Sequence, residues 1–274
     1  MADAQGRGRL FGVSSIVVSD LDYAPPASDS LFFDVSFNVA PGEHAVIIGP
    51  NGAGKSTILR ILSGEIDADG GDLAIDGTFL TMSQDVGMGN PDAPLRELLL
   101  DVALPELRAA GRALMAAEAA MADGTDDGMA FAEAITTWGD LGGYELEAEW
   151  AAAAERSVKT PVTDFSTRLV GELSGGERKR LVLDLLLNSD VDVLLLDEPD
   201  NYLDIPTRVW LEDQILACSS TILMVSHDRS LLERVATKVI VLEGAGAWVH
   251  GGSYASFPNA RAKRQAQLGD ALKR

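Results

Sequence analysis

Gly49-Pro50-Asn51-Gly52-Ala53-Gly54-Lys55-Ser56 is the stretch on which the reading of this chain turns. Glycine in the first and sixth places, followed by lysine and a hydroxyl residue, completes the pattern G-x-x-x-x-G-K-[ST]. The β-forming run Ala45 to Ile48 precedes it and a run of helical composition, Lys55 to Leu62, follows. That is the strand, loop, helix order such a loop requires. Glycines let successive backbone N–H groups converge on phosphate oxygens, and a helix start favours the negative charge gathered there. Lys55 can reach the outer phosphates and the Ser56 hydroxyl can ligate Mg²⁺. The candidate phosphate cradle is therefore Gly49, Pro50, Asn51, Gly52, Ala53, Gly54, Lys55 and Ser56.

Upstream of the loop and just beyond it, the β-forming runs Ser14 to Val18, Leu31 to Val39, Glu43 to Ile48, Asp72 to Ile75 and Thr78 to Met82 are separated by Gly, Pro and Asp turns. The first third is β-rich. From Pro94 to Val158 the composition shifts to Ala, Leu, Glu and Met at helical spacing, broken at 123–128 by Asp-Gly-Thr-Asp-Asp-Gly. This predicts two helices joined by a tight polar turn. Further on, a helix over Glu177 to Leu187, a buried strand over Val191 to Leu196, a helix over Val209 to Leu216 and a strand over Thr221 to Val225 alternate, which makes an α/β core. Short strands at Lys238 to Leu242 and Ala247 to His250 precede Gly251-Gly252. Beyond Pro258 the chain is polar and helix-prone.

At 274 residues and 46% apolar content the chain can bury a full core. No apolar run approaches the roughly 20 residues that cross a bilayer, and no signal-peptide stretch precedes Ser14. With Cys218 as the single cysteine, a reducing, cytoplasmic setting is expected. A net charge of −20 argues against a basic face that grips nucleic acid directly. Five bases against one acid over Arg261 to Arg274 give the tail a different character.

A second set of residues carries chemistry. A buried strand ending in Asp197 presents a carboxylate near a phosphate-bound Mg²⁺, and Glu198, facing differently, can polarise an attacking water. Ser174, Gly175 and Gly176 open a helix whose N-terminus suits a phosphate. His227 follows Ser226 at a strand end, whereas His44 and His250 stand in no motif and read as structural or solvated.

Leu173-Ser174-Gly175-Gly176-Glu177, together with the loop and with Asp197-Glu198, resembles the signature of ATP-binding cassette (ABC) ATPases. The resemblance implies an α/β fold: an ABC cassette with an N-terminal antiparallel β subdomain, an α/β core and a helical subdomain with a short helical-hairpin arm. It implies that Thr57 touches the α-phosphate, that His227 senses the γ-phosphate, and that Gln84 bridges Mg²⁺ or water to the helical part. It also implies that Tyr23, 26 residues before Gly49, stacks on adenine. Ser174, Gly175 and Gly176 then complete the ATP site of a second cassette, and Asp204 links the two sites.

Glu198-Pro199-Asp200-Asn201-Tyr202-Leu203-Asp204 and Ser226-His227-Asp228-Arg229 are similar to the ABC-F class, whose members carry two cassettes and act on the ribosome. Asp200 and Tyr202 stand where that class usually has Thr and His. By this resemblance the cassette spans residues 12–252, its helical subdomain about 90–172, and residues 253–274 begin a linker to a second cassette. From Leu98 to Thr160 twelve acids and four bases leave a net of −8, which disfavours contact with a phosphate backbone there. The implied function is an ATPase acting on the ribosome as a translation factor or in antibiotic protection. The alternatives are the ATPase subunit of a membrane transporter and a non-hydrolysing nucleotide-gated module.

Overall fold

The computed structural model describes residues 16–26, 29–86, 90–125, 128–158 and 165–271. The expected strand start at Ser14, Asp126-Asp127 of the polar turn and Lys273-Arg274 of the tail lie outside the described residues.

Two sheets face each other across one core. The smaller is antiparallel, in the order β2 (Phe32–Val39), β1 (Ile16–Tyr23), β4 (Gly70–Ile75). The larger runs β5 (Phe79–Met82), β6 (Val193–Asp197), β7 (Thr221–Val225), β3 (His44–Ile48), β8 (Lys238–Glu243), β9 (Gly246–His250). It is parallel up to β8 and antiparallel at β9. Period-2 alternation sends successive residues of the central strands to opposite layers. Leu194, Leu196, Ile222, Met224 and Val46 join the cluster shared with the helical region, while Val193, Leu195, Leu223, Val225 and Ile47 face α1 (Lys55–Leu62) and the small sheet. Burial on both faces explains why these strands read as continuous apolar runs.

The helical region holds four helices where the sequence predicted two: α2 (Leu95–Asp101), α3 (Pro105–Ala122), α4 (Met129–Asp140) and α5 (Gly143–Ser157). The predicted hairpin is α3 with α4, which pack together. The extra breaks have local causes. Pro105 opens α3 at its first position, where a missing N–H costs nothing. Gly142, at φ 85, starts α5 in the left-handed region and brings Gly143 onto Trp138 so closely that a Cβ would lie 2.1 Å from the indole. Trp138 then packs tilted on Trp150, and Trp150 edge-to-face on Phe165, with centroids 6.3 and 5.9 Å apart.

The neck of this region is a short backbone ribbon: Val170 donates to the Ala93 carbonyl (2.9 Å), Leu95 to Arg168 (2.6 Å) and Gly171 to Pro91 (2.8 Å). Beyond it α6 (Gly175–Leu187), α7 (Ile205–Ala217) and α8 (Arg229–Val235) alternate with the strands, and α9 (Phe257–Ala271) docks through Phe257 against Trp248 and Tyr254. Among the described residues no helix is long and apolar enough to cross a membrane.

Candidate functional site

Sheet order brings the chemistry to one end of the parallel strands. Strands β6, β7 and β3 are neighbours, and from their C-terminal ends leave Asp197-Glu198, Ser226-His227 and the glycine loop. In parallel α/β sheets this crevice is where ligands bind.

The loop conformation needs its glycines. A Cβ on Gly49 would sit 2.5 Å from the Leu242 carbonyl oxygen. Gly54, at φ 90, would place one 2.8 Å from the Phe32 ring and 2.9 Å from Leu31. No side chain caps α1, so its first-turn N–H groups are left for an anion. Lys55 is buried at the centre, its Nζ donating to the carbonyls of Gly49 (3.1 Å) and Pro50 (3.0 Å). Burial lowers its pKa, and the Glu198 and Asp197 carboxylates oppose that shift. Ser56 and Thr57 follow, half-buried. Tyr23, at the end of β1, packs on Phe32 with centroids 6.0 Å apart, so it borders the loop through the ring that touches Gly54.

Asp197 ends β6 almost fully buried. Burial raises its pKa, a hydrogen bond from Ser56 opposes this, and the Glu198 charge adds to the rise. Its Oδ1 has no hydrogen-bond partner. Glu198 turns away with φ 49, its N–H held by the Val225 carbonyl at 2.8 Å. Its Oε2 accepts from Gln84 Nε2 (3.1 Å) and from Asn201 Nδ2, and its Oε1 lies 3.7 Å from His227 Nε2. Gln84, Glu198 and His227 thus converge from three parts of the chain, Gln84 from 114 residues away.

A cavity of about 360 Å³ is lined by Ser56, Gln84 and Asp197, and one of about 490 Å³ by Gly49, Pro50 and His227. An orphaned buried carboxylate oxygen beside a hydroxyl and an amide fits a hard divalent cation that phosphate oxygens would complete. A larger cavity of about 550 Å³, lined by Leu107, Leu146, Trp150 and Leu185, lies at the opposite ends of β5 and β6, and neither the glycine loop nor Gln84, Asp197, Glu198 or His227 lines it.

Ser174 caps α6: its Oγ accepts from the Glu177 N–H (3.3 Å) and donates to Glu177 Oε2 (2.7 Å). Gly175 and Gly176 are exposed, with no atom closer than 3.9 Å to a built Cβ. None of the three lines the two cavities beside the loop. Asp204 caps α7 through the Thr207 N–H (3.0 Å).

Three contributors escaped the sequence reading. Asn201 was visible inside the Glu198 to Asp204 motif. Asp200 is buried, with Oδ1 unpartnered. Lys179 is buried and donates to the Glu198 carbonyl at 2.7 Å. Its signal was available, because Lys179, Leu183 and Leu186 share one helix face at i, i+4, i+7. Of the histidines without a motif, His44 is buried and His250 bonds Ser256 Oγ at 2.7 Å.

Residues 32–201 match the family model described as ABC transporter. An antibiotic resistance protein of Mycobacteroides abscessus is 40% identical over 96% of this chain and 49% of its own length. The tylosin resistance ATP-binding protein TlrC of Streptomyces fradiae is 38% identical over 85% and 44%. The energy-dependent translational throttle protein EttA of Mycobacterium tuberculosis is 33% identical over 86% and 42%. The chain spans about half the length of these curated relatives. Among solved structures, a bacterial Atm1-family ABC exporter with ATP bound superposes with a TM-score of 0.63 at 20% identity, over 93% of this chain and 42% of that one. The ATP-binding subunit of an ABC transporter gives 0.62 at 19%, over 94% and 99%. At these identities the likeness speaks for the fold.

Proposed function

The chain belongs to the ABC transporter family of ATP-binding domains, and we propose that it is an ABC-F cassette that hydrolyses ATP and acts on the ribosome, in translation or antibiotic protection. Convergence of Gln84, Asn201 and His227 on Glu198, beside a complete phosphate loop, is the observation that supports hydrolysis. Loop amides and Lys55 hold the β- and γ-phosphates, and Tyr23 offers a ring to adenine. Ser56, Asp197 and Gln84 would hold Mg²⁺, which when bound neutralises charge on the phosphate oxygens. Glu198 accepts a proton from the attacking water, a role worth about 10² to 10⁴ in rate. His227 is placed to read the γ-phosphate from the other side of that carboxylate.

Ser174 to Gly176 stand away from this site, so their phosphate is that of a second cassette, in the same polypeptide or another. Reciprocally, a second signature closes over Lys55. Residues 253–274 are assigned to the linker between cassettes, and the assembly to the cytoplasm. The ribosome is favoured over a membrane partner by relatives named for translation and for tylosin resistance, whereas the exporter likeness concerns fold alone.

Glu198→Gln in the whole protein provides the test. The variant is expected to bind ATP, hydrolyse it at least about 100-fold more slowly, and co-sediment with ribosomes only when ATP is present. Failure to co-sediment, with ATP-dependent recovery of a membrane protein instead, overturns the ribosomal reading in favour of a transporter subunit.

A further inference from the structure

We propose that Lys179 is a positioning residue for hydrolysis: from the second turn of α6 it holds Glu198 by the backbone, so the helix that offers its N-terminus to one nucleotide also sets the attack geometry at the other. This rests on the hydrolytic role of Glu198 proposed above.

The geometry is specific. Glu198 occupies the left-handed region at φ 49, which a non-glycine residue keeps only where its surroundings impose it. Three contacts impose it here, one of them local: the Asn201 N–H donates to the Glu198 carbonyl at 3.2 Å within the turn. The other two come from neighbouring elements. The N–H is fixed from β7 by the Val225 carbonyl, and the C=O is fixed from α6 by Lys179 Nζ at 2.7 Å. With both sides of the residue held, its carboxylate is delivered to Gln84, Asn201 and His227. Lys179 is 4% exposed, and an ammonium is retained at such a place only where nearby charge supports it. Asp200 is the largest source of that support, followed by Glu198 and Asp197, and the last two carboxylates also face Lys55. Asp200 is itself buried with an unpartnered oxygen, at the position where the sequence departs from the class's threonine.

Gly175 lies four residues before Lys179, about 6 Å along the helix axis. A displacement of α6 by a phosphate bound at Ser174 to Gly176 is therefore passed to the Glu198 carbonyl through a single side chain. The two nucleotide sites of a cassette pair are then coupled within each cassette as well as across their interface.

The test compares hydrolysis and ATP affinity in the whole protein for wild type, K179M, K179R, E198Q, E198Q/K179M and K179M/D200T. K179M is expected to lower kcat by about 10- to 100-fold, the scale set by small misplacements of a reacting group, with KM for ATP within about 3-fold. K179R, which can still donate to the carbonyl, recovers most of the rate. E198Q/K179M is no slower than E198Q, because both changes remove one function. Unchanged kcat in K179M, multiplicative losses with E198Q, or full recovery in K179M/D200T each overturns the proposal, the last because the lysine would then only neutralise Asp200. If K179M does not fold, K179M/D200T is compared with D200T under the same kinetic expectations. Wild-type hydrolysis by E198Q would instead refute the role given to Glu198, an outcome distinct from normal rates in K179M alone.

Discussion

Gly54→Ala tests the backbone of the phosphate loop directly. At φ 90 an alanine is held outside the regions an L-residue prefers, which costs about 1 to 3 kcal/mol. The new Cβ would also lie 2.8 Å from Phe32 Cε1 and 2.9 Å from Leu31 Cδ2, and Phe32 is 1% exposed, so its ring has nowhere to swing. Overpacking of this kind costs about 1 to 3 kcal/mol more. A total of about 2 to 6 kcal/mol is a large part of the roughly 5 to 15 kcal/mol that holds a domain together. For a chain of this size each kcal/mol moves Tm by about 2 to 4 °C.

Thermal melts with and without ATP and Mg²⁺ supply the assay. Wild type at 1,000 times Kd gains about 4 kcal/mol from ligand. Gly54→Ala is expected to melt at least about 4 °C lower and to lose most of the ligand shift, since the ring it displaces packs on Tyr23. Gly54→Ala with Phe32→Leu relieves the clash but not the dihedral, and should recover only part of the loss. A single variant melting within about 1 °C of wild type with an undiminished ATP shift would refute the reasoning.

Lys179 also makes stability depend on pH. Burial lowers its pKa from 10.5 to about 8 in the folded chain. Between those values the unfolded chain binds more protons, so this lysine's contribution to stability rises with pH and its penalty is fully present below about pH 8. The slope approaches about 1.4 kcal/mol per unit. Urea midpoints of wild type and K179M from pH 7.5 to 10 should converge or cross accordingly, and parallel curves would contradict the assignment. Trp150→Ala removes the centre of the Trp138, Trp150, Phe165 cluster, at about 3 to 5 kcal/mol. Hydrogen exchange is expected to accelerate in α2 to α5 before it does in β3, β6 and β7, and uniform acceleration would argue against a locally cooperative helical unit.

Residues 49–56 were legible because a phosphate cradle is built from consecutive amides, so its chemistry and its spacing coincide in the sequence. Asp197 and Glu198 were legible for a related reason, since a strand buried on both faces ends abruptly in two charges. The contact of Gln84 with Glu198 joins positions 114 residues apart, and local pattern carries no information about such a pair. Lys179 is less legible, because its place on the buried stripe of α6 acquires a role only from the Glu198 carbonyl 19 residues further on. The two extra breaks each carry a local signal, Pro105 at the first and Gly139-Asp140-Leu141-Gly142-Gly143 at the second, which the Ala- and Leu-rich composition on either side outweighs. The packing of Gly143 on Trp138 fixes where the second one falls.

The ribbon at the neck of the helical region gives that region's length an unusual freedom. With residues 91–96 fastened to 165–171, the helical region is entered and left at one neck, while Leu99, Leu114 and Trp150 keep its base in the core and only the far end of the α3 and α4 pair projects from it. The tip of the α3 and α4 hairpin is then a closed loop whose ends are already fixed, and doubling such a loop costs only about 0.6 kcal/mol in closure entropy. Reach at the tip can therefore be lengthened or trimmed by evolution, or by an engineer, with almost no consequence for the register of β5 against β6 or for the contact of Gln84 with Glu198. How far the protein extends toward whatever it touches is a quantity its catalytic machinery does not feel.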